Sequence, residues 1–211
     1  GRLLQYASRL YGQLEADLMR MDKRDGLNML VVTGDIADRA DPLEYRAAAK
    51  FLDELMRGCA LRPHQVVLVP GNHDVDWKQA MAAYTPMRRS DVRRSLEKDT
   101  YIDDSPDGSG KYIEVRNESE HQKRFLHFSN FYSQVRPQEL YPLDYSDQAL
   151  LQHFPEQNVL VLGLNSAWRI DHHFSKLASI NPDALEKTLK SVRNTPAYRG
   201  CVKIAAWHHP I

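Results

Sequence analysis

The chain has 211 residues, 42% of them hydrophobic, which is enough for the core of one domain. Its 28 basic and 28 acidic residues balance, so net charge indicates no general attraction to nucleic acid or membrane, although local basic patches stay open. No stretch approaches the roughly 18 apolar residues of a membrane span. Two distant cysteines, Cys59 and Cys201, predict neither a disulfide framework nor a cysteine zinc site. We expect a cytoplasmic protein without a membrane partner.

The chain begins with a predicted helix and a predicted strand. Leucines and alanines recur three and four residues apart over 3–20, which is the spacing of an amphipathic helix. The stretch 29-MLVVTGD-35 is a short apolar run that ends in Gly-Asp, and this composition is typical of a buried strand.

A second helix is predicted over about 42–57, followed by another strand. Asp41 is a good N-cap, Pro42 suits the first helical position, and Glu44 completes a capping box. The run 66-VVLVP-70 then predicts a strand. The resulting strand–helix–strand unit indicates an α/β fold with a largely parallel arrangement of strands.

Residues 75–157 interrupt this rhythm with charged and aromatic sequence. The middle of this segment, 101-YIDDSPDGSGKY-112, has the composition of a loop. We interpret 75–157 as a partly helical insertion that forms a cap or rim. The α/β pattern then resumes with a strand at 158–166, a helix that opens at Asn181 and Pro182, and a strand at 201–210.

Two stretches of the insertion leave alternatives open. The arginine-rich run 88-RRSDVRRSLEK-98 predicts a solvated helical face rather than a contact with phosphate or nucleic acid. The aromatic stretch 125-FLHFSNFY-132 is either the packing face of an insertion helix, which we favour, or a surface on which bases stack.

Polar clusters follow the apolar strands at the points where the strands end. These clusters are GDIAD at 34–38, GNHD at 71–74, Asn165-Ser166, and HHP at 208–210. In open α/β sheets, ligands bind outside the carboxyl ends of the strands. We therefore expect the clusters to meet, although they are far apart in the sequence.

The clusters combine carboxylate, amide and imidazole groups. This donor set suits divalent manganese, iron, zinc or cobalt. Two such ions about 3.5–4 Å apart can clamp a phosphate group and activate a water molecule for attack on it. Gly34 and Gly71 precede Asp35 and Asn72 and would permit tight turns with close approach of the backbone.

The combination of GD-x-x-D at 34–38, GNHD at 71–74 and a strand ending in HHP at 208–210 resembles the calcineurin-like metallophosphoesterase family. The phrase 69-VPGNHD-74 resembles bacterial members in particular. The resemblance implies layered mixed β-sheets flanked by helices, with a cap insertion at 75–157. It also implies hydrolysis of a phosphate-ester substrate with the help of two divalent metal ions. Among the candidate metals named above, we favour manganese.

The resemblance assigns roles to the metal-ligating positions. Asp35 would bridge the two ions, and Asn72 and His208 would ligate the second ion. The second histidine of the HHP motif, His209, would only pack or form hydrogen bonds. Asp74 has a structural interpretation, as an acceptor for backbone groups in its turn.

The resemblance also assigns residues that act on the substrate. His73 would protonate the leaving oxygen as general acid, and Asp38 would orient the His73 ring or stabilise its charge. Arg39 matches an arginine that contacts phosphate in the phosphoprotein-phosphatase branch. The rest of that branch's signature is absent, because Asp74 stands where that branch has Glu.

Two motifs of the family are missing from these 211 residues: D-x-H before the first helix and G-H-x-H after the HHP strand. We expect a longer parent protein to supply them, together with any further domains, and we expect this piece alone to be inactive. The stretch 171-DHH-173 has D-x-H spacing in a different topological place. We favour a solvated loop there, with a substrate-facing loop as an intermediate interpretation and metal binding as the least favoured one.

The motifs leave the substrate class open. A phosphodiesterase is slightly favoured by the VPGNHD phrase, and a nuclease would use the same chemistry. A different class of function is a metal-free binding or regulatory module on a phosphoesterase-like scaffold.

Overall fold

The computed structural model describes residues 2–20, 27–92, 100–103 and 109–210, with only the backbone described for residues 2–8. The helices are α1 (Arg2–Arg20), α2 (Pro42–Gly58), α3 (Trp77–Ala82), α4 (Glu118–Gln122), α5 (Leu126–Val135) and α6 (Pro182–Asn194). The strands are β1 (Leu30–Thr33), β2 (Val66–Val69), β3 (Tyr84–Arg88), β4 (Tyr101–Ile102), β5 (Tyr112–Arg116), β6 (Ala149–Phe154), β7 (Val159–Leu164) and β8 (Val202–Ala206). Among the described helices, none has the length and apolar character needed to cross a bilayer.

The capping signal before α2 forms as the sequence predicts. A side-chain oxygen of Asp41 accepts a hydrogen bond from the backbone N–H of Leu43 at 2.7 Å. The carboxylate of Glu44 accepts one from the N–H of Asp41 at 3.2 Å, which completes the capping box. These bonds satisfy backbone donors that the first turn leaves without partners, and they fix where α2 begins.

The strands of the α/β body form two sheets with parallel pairs. β1 and β2 are parallel and in register from Leu30 opposite Val66 to Thr33 opposite Val69. β7 is parallel to β8 on one side and antiparallel to β6 on the other. The carboxyl ends of β1 and β2 therefore meet at one edge, as the strand–helix–strand interpretation requires.

The two sheets stack face to face between helices. Because side chains alternate along a strand, Val66 and Leu68 pack towards α2 and α5, whereas Val67 packs with Val161 of the second sheet. On the far side of the second sheet, Leu160 packs with Ala184 of α6. This order of helices, sheet, sheet and helix confirms layered mixed sheets flanked by helices.

The predicted insertion contains a small sheet of its own. β5 pairs antiparallel with β3 and with β4. Residues 101–102 form β4 where the sequence predicts a loop, because Tyr101 pairs with Val115; residues 104–108 lie outside the described part. Later parts of the insertion join the body: α5 contacts α2, and β6 pairs with β7. The boundary at 75–157 stays a prediction.

The aromatic stretch at 125–132 is a packing face. Phe125, Phe128 and Phe131 are 0% exposed and Tyr132 is 2% exposed, so a base-stacking surface there is ruled out. In the arginine-rich run, described up to residue 92 and not over 93–99, Arg88 ends β3 and a short 3-10 turn follows. The helical interpretation is therefore wrong for the described part, although both its arginines are exposed.

Candidate metal centre

The polar clusters at the strand ends converge as the sequence predicts. Asp35 follows β1 and His208 follows β8, and the Asp35 Oδ2 lies 3.2 Å from the His208 Nε2. The backbone N–H of His73, which follows β2, donates to the Asp35 Oδ1 at 3.2 Å. Three segments that are far apart in the sequence thus meet at one carboxylate.

Two glycines make this close approach feasible. A Cβ atom on Gly71 would lie 2.3 Å from the Asp35 Oδ1, and one on Gly34 would lie 2.6 Å from the His208 Nδ1. Both separations are far below van der Waals contact, so side chains there would displace the site. Gly34 has φ 86° and Asp35 has φ 52°, a left-handed turn that glycine and aspartate tolerate better than most residues.

The ring of His208 lies between a backbone carbonyl and the Asp35 carboxylate. Its Nδ1 lies 2.5 Å from the carbonyl oxygen of Thr33, the last residue of β1. An Nδ1–H that donates to this carbonyl leaves a lone pair on Nε2, the atom that faces the Asp35 carboxylate. Two electron-pair donors that face each other favour a shared cation, so the residues present fit one metal position.

Asn72 joins the cluster through His209. The Asn72 Oδ1 lies 2.9 Å from the His209 Nε2, and the His209 Nδ1 lies 2.8 Å from the Ser166 Oγ. Burial, followed by the neighbouring His208 ring, lowers the pKa of His209 and favours a neutral ring. A neutral ring can accept from Ser166 and donate to the Asn72 oxygen. His209 and Ser166 therefore orient the Asn72 amide. The sequence predicts only packing or hydrogen bonding for His209, without identifying its partner.

His73 is anchored mainly by backbone. Its Nδ1 lies 2.7 Å from the carbonyl oxygen of Asp38 and 3.4 Å from the carboxylate of the same residue. The hydrogen bond to this carbonyl raises the pKa of His73, the carboxylates of Asp35 and Asp38 add to the rise, and burial opposes it. Asp38 thus contacts the ring, with its backbone as the closer group, and the catalytic roles of His73 and Asp38 stay predictions.

Arg39 lies at the rim of the site. Its side chain is 86% exposed, and its Nε is 3.5 Å from a carboxylate oxygen of Asp38. The Glu44 carboxylate accepts from the backbone N–H groups of Asp38 and Arg39, at 3.2 and 3.0 Å, and so holds this turn on the start of α2. The phosphate contact predicted for Arg39 stays a prediction.

Asp74 connects the two loops that carry the site. It is fully buried, and its oxygens accept from the N–H groups of Gly71, Ile36 and Ala37 and from the hydroxyl of Tyr45, at 2.9 to 3.3 Å. Burial raises the pKa of its carboxyl, and these donors oppose the rise. The structural role predicted for Asp74 is confirmed, and it reaches beyond the turn to the loop after β1.

Comparison with known proteins identifies the family. A family model described as calcineurin-like phosphoesterase matches residues 6–191. The chain belongs to this family. Calcineurin-like phosphoesterases are metal-dependent and generally bind two divalent ions, in agreement with the carboxylate, amide and imidazole donors found here. The matched region ends before His208, so the family match says nothing about this residue. Its place in the site is supported by its contacts alone. No curated protein matches the chain.

The D-x-H spacing at 171–173 does not form a metal pair among the described residues. Asp171 is fully buried, and its Oδ2 accepts from the Tyr84 hydroxyl at 2.7 Å and contacts the His121 Nε2 at 3.0 Å. Its Oδ1 accepts the backbone N–H groups of His173 and Phe174, both at 2.9 Å. Because both oxygens are engaged and the segment is not exposed, the solvated-loop interpretation is also wrong.

The sequence missed the buried group around Asp171. Burial lowers the pKa of His121 to about 4, against the effect of its hydrogen bond with Asp171. Burial pushes the pKa of Asp171 up, but the hydrogen bonds from His121 and Tyr84 bring it below its ordinary value. His121 is therefore neutral and donates a hydrogen bond to an ionised Asp171. No local spacing connects these residues, so no sequence signal could have found them.

Proposed function

We propose that this phosphoesterase hydrolyses phosphodiesters at the site formed by Asp35, Asn72 and His208. The observation that carries the proposal is the 3.2 Å approach of the His208 Nε2 to the Asp35 Oδ2, with the Nδ1 of the same ring bound to the Thr33 carbonyl. Hydrogen bonding that fixes the other ring nitrogen is typical of metal-ligating histidines. The preference for diesters depends on the VPGNHD phrase at 69–74.

The ligand roles follow from the donor atoms. Asp35 would be the carboxylate shared by two ions, and Asn72 and His208 would hold the second ion, with manganese favoured. The ions, when bound, would offset negative charge on the phosphoryl oxygens and supply the nucleophile from water. The contact with His209 would keep the Asn72 oxygen directed for ligation.

We assign the leaving-group proton to His73. Its Nδ1 is occupied by the Asp38 carbonyl, so Nε2 is the ring nitrogen left for a leaving oxygen. Arg39 would contact the phosphate, since its backbone is fixed by Glu44 while its side chain extends into solvent. Both Cys59 and Cys201 are free thiols, which supports a reducing compartment, and we propose the cytoplasm.

The proposal is tested by hydrolysis of bis(p-nitrophenyl) phosphate and p-nitrophenyl phosphate with Mn²⁺, in the full natural protein that contains this chain. Asn72→Ala should lose manganese occupancy and rate together, whereas Asn130→Ala, at an exposed position on α5, should keep both. Activity of Asn72→Ala at the level of the natural protein would remove Asn72 from the site. Absence of both manganese binding and hydrolysis would instead favour the metal-free module.

The role of His73 has its own test. His73→Ala should retain the metal and slow turnover, and the loss should shrink for esters with good leaving groups, which need little protonation. A loss of equal size across a series of leaving groups would contradict the general-acid role. Cleavage of single-stranded DNA at a rate above that of small diesters would favour the nuclease alternative.

A further inference from the structure

A second group of metal-ligating side chains lies where the small sheet meets the loop after β7. It consists of Glu114 on β5 and of His172 and His173, and one ligand atom from each lies within 4.8 Å of the others. We propose that these three residues bind one zinc ion, which anchors the small sheet to the α/β body. This inference does not depend on the phosphoesterase site, since it shares no residue with it.

The donor set is one that zinc uses. Two imidazoles and one carboxylate can serve as the three protein ligands of a tetrahedral zinc ion, with the fourth position left to water. Zinc–ligand bonds of about 2.0–2.2 Å place tetrahedral ligand atoms about 3.3–3.5 Å apart. The His173 Nε2 and the Glu114 Oε2 are now 2.8 Å apart, and all three ligand atoms lie within 4.8 Å of one another, so small shifts of these side chains would admit the ion.

Unpaired polar atoms in the cluster point to a missing ligand. The His172 Nδ1 and the His173 Nε2 are both inaccessible to solvent, and neither has a hydrogen-bond partner among the described residues. The His173 Nε2 lies close to the Glu114 carboxylate, but this approach does not have the geometry of a hydrogen bond. Buried polar atoms without partners are rare in folded proteins, and coordination to a cation would satisfy them.

The surrounding residues hold the two rings in place. The Tyr84 ring packs edge-on against both, with centroid separations of 5.0 Å to His172 and 4.8 Å to His173. Asp171 accepts the backbone N–H of His173 and the hydroxyl of Tyr84, so it fixes the loop and that ring together. The side chains of His173 and Glu114 are only 22% and 23% exposed. Side chains that are already held close together lose less conformational freedom when an ion binds than freely rotating ones would.

The position of the cluster suggests what the ion would do. Glu114 belongs to the central strand of the small sheet, whereas the histidines follow β7 of the body. In addition to the Tyr84–Asp171 hydrogen bond, a zinc ion would provide a second and stronger connection between these parts. Zinc should therefore slow local opening of the small sheet.

The first test is zinc stoichiometry, by equilibrium dialysis and elemental analysis on the whole chain. Glu114→Gln and His173→Gln should each lower zinc affinity at least about tenfold. The matched control is His127→Gln on α5, where the ring is 3.6 Å from one carboxylate, that of Asp76, and zinc binding should persist. Binding should also persist in Asn72→Ala. Zinc binding unchanged in both cluster variants, or abolished by Asn72→Ala, would overturn the proposal.

A second test combines cobalt spectroscopy with hydrogen exchange. Co²⁺ added to Asn72→Ala should give the intense visible bands of a four-coordinate ion, and one equivalent of Zn²⁺ should remove them. Zinc should also slow hydrogen exchange of the β5 amides in the natural sequence and not in Glu114→Gln. Spectra of a six-coordinate cobalt ion, or exchange unaffected by zinc, would contradict the site and its anchoring role respectively.

Discussion

The substitution Asp74→Asn tests whether a single buried carboxylate joins the two loops of the metal centre. Asp74 accepts hydrogen bonds from three backbone N–H groups and from the Tyr45 hydroxyl. Asparagine has almost the same shape but offers one oxygen and one NH₂ group. In either orientation, that NH₂ group faces at least one buried backbone N–H as a second donor.

The free-energy cost follows from these contacts. One orphaned buried donor costs about 1–3 kcal/mol, and two remaining bonds that change from a charged to a neutral acceptor each lose about 1 kcal/mol. The sum of about 3–5 kcal/mol is offset in part, because burial also disfavours the ionised carboxylate of Asp74. We expect the free energy of unfolding to fall by about 3 kcal/mol.

Equilibrium denaturation in urea measures this change. An unchanged m-value would show that the variant exposes the same amount of surface on unfolding as the natural sequence. Tyr45→Phe removes only the hydroxyl donor and should cost about 1 kcal/mol. Asp76→Asn is the matched carboxylate control, because asparagine replaces aspartate well at the N-cap of α3. A loss for Asp74→Asn no larger than that for Tyr45→Phe would refute the reasoning.

Three further predictions concern other parts of the chain. Gly71→Ala should abolish tight manganese binding in a calorimetric titration, because its Cβ would lie 2.3 Å from the Asp35 Oδ1; binding equal to the natural sequence would contradict this. Asp41→Ala should lower the free energy of unfolding by about 1 kcal/mol in urea denaturation, through loss of the α2 N-cap, whereas Asp41→Asn should be neutral. The pKa of His121 is about 4 when folded against 6.5 ordinarily, so the unfolded chain binds the extra proton between these values. Stability should therefore fall by up to about 3 kcal/mol as pH drops from 6.5 towards 4, and urea denaturation of His121→Gln should show a smaller fall.

Much of the fold and part of the site are predictable from local pattern. The strands β1, β2, β7 and β8 follow from apolar runs, and the start of α2 follows from the capping residues Asp41 and Glu44. The strands β3 to β6 were not predicted from the sequence. The meeting of Asp35 with the residues after β2 follows from the parallel pairing of β1 and β2, because parallel strands place their carboxyl ends at one edge. The need for glycine before Asp35 and before Asn72 was also predictable from the sequence. The structure agrees, since the turns leave no room for a Cβ.

Other features depended on contacts between distant segments. The contact between His209 and Asn72 requires the stacking of two sheets. The reach of Asp74 to the loop after β1 requires the pairing of β1 with β2. The assignment of α5 and β6 to the body, within a stretch that the sequence predicts to be a cap, depends in the same way on tertiary packing.

The sequence by itself determined the main helices and strands outside 75–157, the family motifs and the edge at which the motif residues gather. Only the tertiary structure decided that Glu114 lies beside His172 and His173, and that Asp171 is occupied by Tyr84 and His121. The physical reason is that propensity, capping and periodicity act over a few residues along the chain. Which side chains meet across two sheets depends on strand register and packing, which local sequence does not encode.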